Sequence, residues 1–412
     1  MAGRQLLSQL GQEDIVLSGK PEITFFKEAY QAQGLFATRV IEVSFDNDPT
    51  YGSEVSAPIP LNGDLMTAMY LTFNFPVNPG CQFLPSAGLL MINFVELYSG
   101  TQLVERLWGE YIGLLNECQV PTSKQTSLTS ILGTNTPGTN FFPPNGFPYK
   151  FTVPLPFSCI KKGLPLVKDM NFRINLNPST YFTTGPSLPS LPTVQFQYLV
   201  EFAVLNEPEK NFIKNRGPVI YIGESIQRAQ FEVTNKSANV RCVTQFLHPV
   251  KELFFTVRNV SSLAPDYWFD YSNATSVTNS WSNNYSNINQ LNSMAIYFEG
   301  VQRVNPLWGT SIYLGTTQFL DYHTRVPTKP FYMYSFAIDP ENLKPTGTVN
   351  MGRIKNQYFD FFLQRMPSWR SPSTRILTIW ARYQTLIQVD GFKTLKNLFD
   401  GDGDDGYLFY MP

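Results

Sequence analysis

Ser99-Gly-Thr-Gln-Leu-Val-Glu-Arg-Leu-Trp-Gly109 returns 200 positions later as Glu299-Gly-Val-Gln-Arg-Val-Asn-Pro-Leu-Trp-Gly309, with six of eleven positions identical. The matches are Gly100 with Gly300, Gln102 with Gln302, Val104 with Val304, Leu107 with Leu307, Trp108 with Trp308 and Gly109 with Gly309. Each copy follows an apolar run, residues 92–98 and 294–298. Self-similarity at a period near half the chain length marks one fold made twice. The constant offset predicts that Trp108 and Trp308 hold equivalent buried places, as core or domain-joint residues. The glycines beside them relieve turns or permit close backbone approach.

At roughly 150 residues per domain, a chain of 412 residues forms two or three domains, and the repeat selects two of similar size. Charged residues are 15% of the chain, against about 25% in ordinary soluble proteins, while aromatic residues reach 15%. That balance implies a surface covered largely by partner chains. A net charge of -1 supplies no field that would hold the chain on nucleic acid or an anionic bilayer, so direct nucleic-acid binding is not expected. Cys81, Cys118, Cys159 and Cys242 are widely spaced without a CxxC pair, which predicts reduced thiols and neither a disulfide framework nor a zinc site. The first twenty residues lack the apolar region of a secretory signal and no stretch is long enough to span a bilayer, so the chain reads as made in the cytosol.

Short alternating segments rich in Val, Ile, Phe, Tyr and Thr, bounded by Pro, Gly and Asn, predict an all-β protein. In the first half strands are expected near residues 38–45, 55–59, 65–75, 91–98, 150–155, 170–176 and 194–205. In the second they are expected near 229–234, 240–247, 252–258, 293–298, 331–338, 358–363 and 376–389. Helices are expected at 107–117, 207–215 and 395–399, with long irregular stretches at 118–148 and 259–292. The charged run NEPEKNFIKNRGP ends in Gly217-Pro218 and reads as a linker closing a helix. The expected organisation is an N-terminal arm over residues 1–35, a first sandwich over 36–206, a linker over 207–217 and a second sandwich over 218–412. Seven to eight strands per half suit two consecutive eight-stranded jelly-roll β-sandwiches, a double jelly roll with few short helices.

The sequence resembles the double jelly-roll major capsid proteins of nucleocytoplasmic large DNA viruses. The segment GQEDIVLSGKPEITFFKEAY, residues 11–30, is similar to that family's amino-terminal pattern, and Ile23-Thr24-Phe25-Phe26-Lys27 is its most specific piece. In order along the chain follow Gly63-Asp64-Leu65, Val95-Glu96-Leu97, Trp108-Gly109-Glu110 and Asn116-Glu117. The second half adds His248-Pro249-Val250-Lys251-Glu252-Leu253, Val257-Arg258-Asn259, Gly352-Arg353-Ile354 and Ala381-Arg382-Tyr383. Residues 391–412 depart from the family's Gly-rich apolar ending. The resemblance implies a homotrimer whose six jelly rolls form a pseudo-hexagonal capsomer tiling an icosahedral shell. Its partners would be neighbouring capsomers, minor capsid proteins and an internal membrane layer.

Within that frame the arm is expected to act in assembly. Leu6, Leu10 and Ile15 supply apolar anchors, and Phe25 and Phe26 are too bulky to stay in water without a partner surface. An arm folded back over its own first sandwich is the alternative. Sequons at Asn235, Asn259, Asn273 and Asn284 fall mostly in the 259–292 stretch, whose Asn, Ser and Thr content predicts an exposed loop.

No catalytic, cofactor or metal site is expected. Gly401-Asp-Gly-Asp-Asp-Gly406 mimics a dinucleotide fingerprint, but its aspartates would repel a pyrophosphate and too few residues follow. Asp400, Asp402 and Asp404 imitate the start of a calcium loop that lacks its Gly and distal Glu. His248 and His323 are the only histidines, and neither lies near a nucleophile motif. The competing reading is a carbohydrate-binding or carbohydrate-active double jelly roll, which abundant aromatics in a β-sandwich would also suit.

Overall fold

The computed structural model describes residue 20 and residues 34–75, 82–84, 86–133, 149–184, 196–233, 238–260, 269, 271, 289–364 and 374–398. By contacts the chain divides into Met1–Leu35 and Phe36–Pro412, and both sandwiches lie in the second unit.

The first sandwich is built from β1 (Phe36–Ser44), β2 (Glu54–Pro58), β3 (Leu65–Phe75), the short β4 (Gln82–Phe83), β5 (Ile92–Ser99), β6 (Gln102–Trp108), β7 (Tyr149–Pro154), β8 (Leu164–Pro165), β9 (Met170–Leu176), β10 (Thr183–Thr184) and β11 (Phe196–Leu205). The second comprises β12 (Pro218–Val233), β13 (Asn239–Thr244), β14 (Pro249–Val260), β15 (Leu291–Phe298), β16 (Val301–Val304), β17 (Tyr332–Ser335), β18 (Val349–Asn350), β19 (Gln357–Leu363), β20 (Thr374–Asp390) and β21 (Thr394–Asn397).

Hydrogen bonding orders the first sandwich as β1-β11-β3-β7 facing β2-β9-β5-β6, and the second as β12-β20-β14-β17 facing β13-β19-β15-β16. The two orders are the same permutation, and even β8 on β3 has its counterpart in β18 on β14. The duplication read from eleven residues therefore extends to the whole topology. β9 and β19 show the period that produces such sheets, since every second side chain of Met170–Leu176 and of Gln357–Leu363 is buried.

The halves are not separate bodies. β12 and β20 run 16 and 17 residues, about 55 Å for the longer, against a usual strand of about 3–10 residues. Their upper parts belong to the second core. At the far end of this ribbon Ile387, Val389 and Leu395 are packed into the core of the first sandwich. A third cluster of Tyr111, Leu114, Leu115, Cys118, Phe254, Tyr271, Phe319, Phe331, Met333 and Trp380 lies between the two.

Several local expectations differ from what is observed. Residues 107 and 108 end β6 rather than start a helix, because they pair with Val95 and Phe94 before α2 (Gly109–Gln119) begins; α1 is the single turn Ala87–Leu90. The 118–148 stretch contains α3 (Thr122–Leu132), which ends on Gly133 at φ +96°. The expected linker helix is α4 (Glu207–Asn215), capped by Asn206 Oδ1 accepting from Glu209 N at 3.2 Å. Residues 394–397 form β21 and not a helix: Leu395 and Asn397 turn inward while Thr394 and Lys396 face out, the period of a strand. A π-helical turn, Tyr313–Thr317, running into α5 (Gln318–Tyr322) was not foreseen.

Candidate functional site

The repeat forms equivalent hairpins, but in a register that separates the tryptophans. β5 and β15 have nearly the same burial pattern, and each carries two bulges, at Ile92/Phe94 and Leu97/Tyr98 in one and at Leu291/Ser293 and Ile296/Tyr297 in the other. Aligning the bulges gives an offset of 199. The tight turns are Gly100-Thr101 and Glu299-Gly300, with Gly100 at φ +60°, Gly300 at +79° and Glu299 at +49°. Glu299 tolerates the left-handed conformation because its carboxylate accepts from the backbone N–H groups of Lys355 and Asn356.

Past its bulge β6 stays paired with β5 as far as Trp108, opposite Phe94. In the second half the ladder stops at Val304, and Ser293, the counterpart of Phe94, bridges to Thr310. The intervening turn is made by Pro306, which lacks an N–H, and by Asn305, whose side chain accepts from Leu307 N at 2.9 Å and whose carbonyl accepts from Gly309 N at 2.8 Å. The expected equivalence of the indoles is thus corrected. Trp108 is half-buried in the joint, whereas Trp308 is pushed outward, 43% exposed, with its ring edge-on to Tyr313 at 5.2 Å.

The glycines after the tryptophans do share a role. A Cβ on Gly109 would stand 2.2 Å from the Ile92 carbonyl oxygen, and one on Gly309 would stand 2.4 Å from that of Met294. Gly109 lets α2 leave the strand at once and cross to the second sandwich. Gly109→Ala is expected to cost stability at the upper end of roughly 1–3 kcal/mol. Urea denaturation checks this, and an unchanged midpoint would contradict the close approach.

α2 is buried on nearly all sides because it lies between two cores. Ile112 enters the first core, while Tyr111 packs against Trp380 and Phe254 with centroids 5.8 and 6.0 Å away. Trp108 lies edge-on to Trp380, and the Arg228 guanidinium sits 3.8 Å from the centre of its ring. At the far end the second sandwich caps the helix. Arg325 donates to the Glu117 carbonyl at 2.7 Å and to its carboxylate at 2.8 Å, placing a cation at the negative pole of the helix. The hairpin edge is tied down as well, since Gln102 Nε2 donates to the Asn397 carbonyl and Asn397 Nδ2 to that of Val104.

Beside the aromatic cluster lies a chain of charges. Arg382 donates to Glu252 at 2.7 Å and, through Nε at 3.0 Å and Nη2, to Glu224, which also accepts from Lys251. His323 places Nε2 2.9 Å from Glu252 and Nδ1 2.9 Å from Glu341. Three carboxylates thus face Lys251, Arg382 and an imidazolium, so the cluster is neutral as a whole. Burial would discharge both Glu252 and His323. Their proximity overrides it, holding Glu252 well below the usual carboxylate range and His323 well above the usual imidazole range.

Glu105 continues this polar seam from β6. Its carboxylate accepts from Ser158 N at 2.8 Å, Ser158 Oγ at 2.9 Å and Cys159 N at 3.1 Å, while Ser158 Oγ accepts from Glu224 N at 2.8 Å. Burial pushes the Glu105 carboxyl up to about 7, against the lowering pull of those donors. The folded chain therefore holds this proton more tightly than the unfolded chain, where the group titrates near 4.5. Its stabilisation is complete below about pH 4.5 and declines as pH rises to about 7, by on the order of 3 kcal/mol. Glu105→Gln should flatten that slope in denaturation series across the window. Parallel slopes for the two proteins would contradict it.

Sequence reasoning set aside His323, which is central to the network. His248 sits at φ +70° with its ring stacked on Tyr383 at 4.5 Å. Glu224 and Glu341 had no signal, and Glu252 and Arg382 stood only within runs that carry the family resemblance, because the partners are distant in sequence. Cys118, Cys159 and Cys242 are free thiols, and Cys81 lies outside the described residues. Leu6, Leu10, Ile15, Phe25, Phe26, Asn273 and Asn284 also lie outside them. Asn259 is on β14, opposite Arg375, so its stretch begins within the sheet. That stretch also returns inward: Tyr271 is buried and donates to Glu110 at 3.1 Å, and a Cβ on Gly113 would meet the Phe269 ring at 3.0 Å. Among the described residues no group of His, Cys, Asp and Glu could hold a metal, and no helix is long and apolar enough to cross a membrane.

Comparison with known proteins places this architecture. The pattern described as "Major capsid protein N-terminus" matches residues 24–248, and that of "Large eukaryotic DNA virus major capsid protein" matches residues 214–366. The chain is 26% identical over 388 residues to the major capsid protein of Pyramimonas orientalis virus, covering 86% of this chain and 90% of that one. It is 25% identical to the major capsid protein of Paramecium bursaria Chlorella virus 1, covering 85% of each. Among solved structures, the PBCV-1 virus capsid superposes with a TM-score of 0.71 at 19% identity, over 92% of this chain and all of that one. Two identically wound sandwiches and a sequence match spanning more than half the chain lead to one assignment: the chain belongs to the major capsid protein family of large eukaryotic DNA viruses, structural proteins of the viral shell.

Proposed function

We propose that this chain closes into a homotrimer whose six sandwiches form a pseudo-hexagonal capsomer, and that such capsomers tile an icosahedral shell. The observation that carries the reading is the pair of sandwiches of one topology locked by α2, the β12–β20 ribbon and the buried charges. Two similar, rigidly joined units per chain let a three-fold ring present six nearly equivalent sides. Neighbouring capsomers, minor capsid proteins and an internal membrane layer are the further partners of this reading, and synthesis takes place in the host cytoplasm. Sedimentation of dilute purified protein tests it. A species three times 46.8 kDa is expected, and a monomer with its β fold intact would overturn it.

The arm belongs to the same proposal. Leu6, Leu10, Ile15, Phe25 and Phe26 anchor it along the inner side of the capsomer, against neighbouring chains or the layer beneath. Deleting residues 1–20 should leave trimers that assemble poorly. Loss of folding in the isolated chain would instead assign the arm to its own sandwich. The loop bearing Asn273 and Asn284 faces outward in this reading, and protease access on assembled particles tests that.

A further inference from the structure

Within one chain, the first sandwich docks on the second in a way that the second could repeat on another copy. The receiving surface is a row of register partners across the β12-β20-β14-β17 sheet: Arg228, Trp380, Phe254 and Met333. Trp108 and Tyr111, which follow the first hairpin, cover it, and Trp380, Phe254 and Met333 are fully buried.

The first sandwich has the same sheet, and the bulges again align the two. The bulge between Val250 and Glu252, against β20, matches that between Met66 and Ala68, against β11. Counting from it, Phe254 corresponds to Tyr70, Trp380 to Leu199, Arg228 to Glu42 and Met333 to Pro154. These four are themselves register partners in one row. Whereas Trp380, Phe254 and Met333 are fully buried, Leu199, Tyr70 and Pro154 reach the surface, and Glu42, like Arg228, is exposed.

The matching donor is also open. After the second hairpin, Leu307 is 87% and Ile312 67% exposed, next to the outward-pushed Trp308. Because Thr310 stands where Trp108 does, Ile312 stands where Glu110 does. Glu110 is the carboxylate that supports the charge of Arg228. In the other row Glu42 replaces Arg228, and a carboxylate at position 312 would be repelled there; an uncharged isoleucine is not.

We propose that the segment Leu307–Ile312 of each chain docks on the Glu42–Leu199–Tyr70–Pro154 row of a second copy, taking between chains the place that the stretch leading from the first hairpin into α2 takes within one. This rests on the homotrimer reading and names its interface. A donor on one sandwich and an acceptor on the other make a heterologous contact, which closes into a ring when the rotation permits.

Sedimentation of the full chain and of a Leu307→Asp/Ile312→Asp variant tests it. The wild type is expected as a trimer and the variant as a monomer whose circular dichroism shows an intact β fold, since both side chains are solvent-exposed in the single chain. A variant that remains trimeric overturns this interface alone. A wild type that is monomeric overturns the trimer reading and the interface with it. Paired Glu42→Cys and Ile312→Cys substitutions should give a disulfide-linked ladder under oxidation that neither single variant gives. A trimer that depends on Leu307 and Ile312 but yields no ladder would overturn the acceptor row.

Discussion

Arg382→Met is expected to destabilise the folded chain by about 3–5 kcal/mol, because it strands Glu224 and Glu252 as buried charges that have lost their shared partner. Arg382 is buried and bridges β12, β14 and the His323 pair. The imbalance is net negative inside a low-dielectric seam, which favours uptake of a proton there. Stability of the variant should therefore recover as pH falls. Urea denaturation at neutral and mildly acidic pH reads both effects. The exposed Arg241–Asp360 pair is the control: it too is bidentate, at 2.7 Å, but it lies in water, and Arg241→Ala should change little. Comparable losses in the two variants would contradict the special role of the buried network.

Trp380→Ala is expected to cost a similar amount, about 3–5 kcal/mol, from the cavity left by a fully buried indole. The site cannot easily collapse, since Trp108 also packs on Phe94 and Arg228, and Tyr111 on Phe254. The loss should fall on the joint more than on either core. Calorimetry is expected to show one transition in the wild type and a lower, broader or divided one in the variant. A midpoint within a degree or two of wild type would contradict the joint's part in holding the sandwiches together.

The sequence exposed those parts of the fold whose cause is local. β9 and β19 were legible because one face is buried and the period of two is written in the residues. The first half of β12 was not, since residues 223–225 are buried in succession where the ribbon crosses the joint, which erases the alternation. The helix expected from residue 107 begins two residues later because Leu107 and Trp108 lead without a break from β6 into α2. The helix N-cap is Trp108 itself, with no side-chain bond. The equivalence of Trp108 and Trp308 failed for a related reason: identity at a constant offset records ancestry of the segment, while Asn305 and Pro306 change the path of the chain between the matched residues.

The joint itself was hidden in the sequence. Glu252 and Arg382 fall in runs that carry the family resemblance, but nothing in the sequence links them to Glu224 or His323, and only the folding of β12, β14, β20 and the α5 region brings them within hydrogen-bonding distance. A low overall charge hints at such a place only indirectly: with few charged residues in the chain, those found at full burial stand out once the fold is known.

Electron microscopy of the purified protein tests most directly whether two fused sandwiches make a six-sided, three-fold ring. Class averages are predicted to show hexagonal outlines with three-fold symmetry, each side one sandwich wide. Particles the size of a single 46.8 kDa chain, or rings of any other symmetry, would contradict the account.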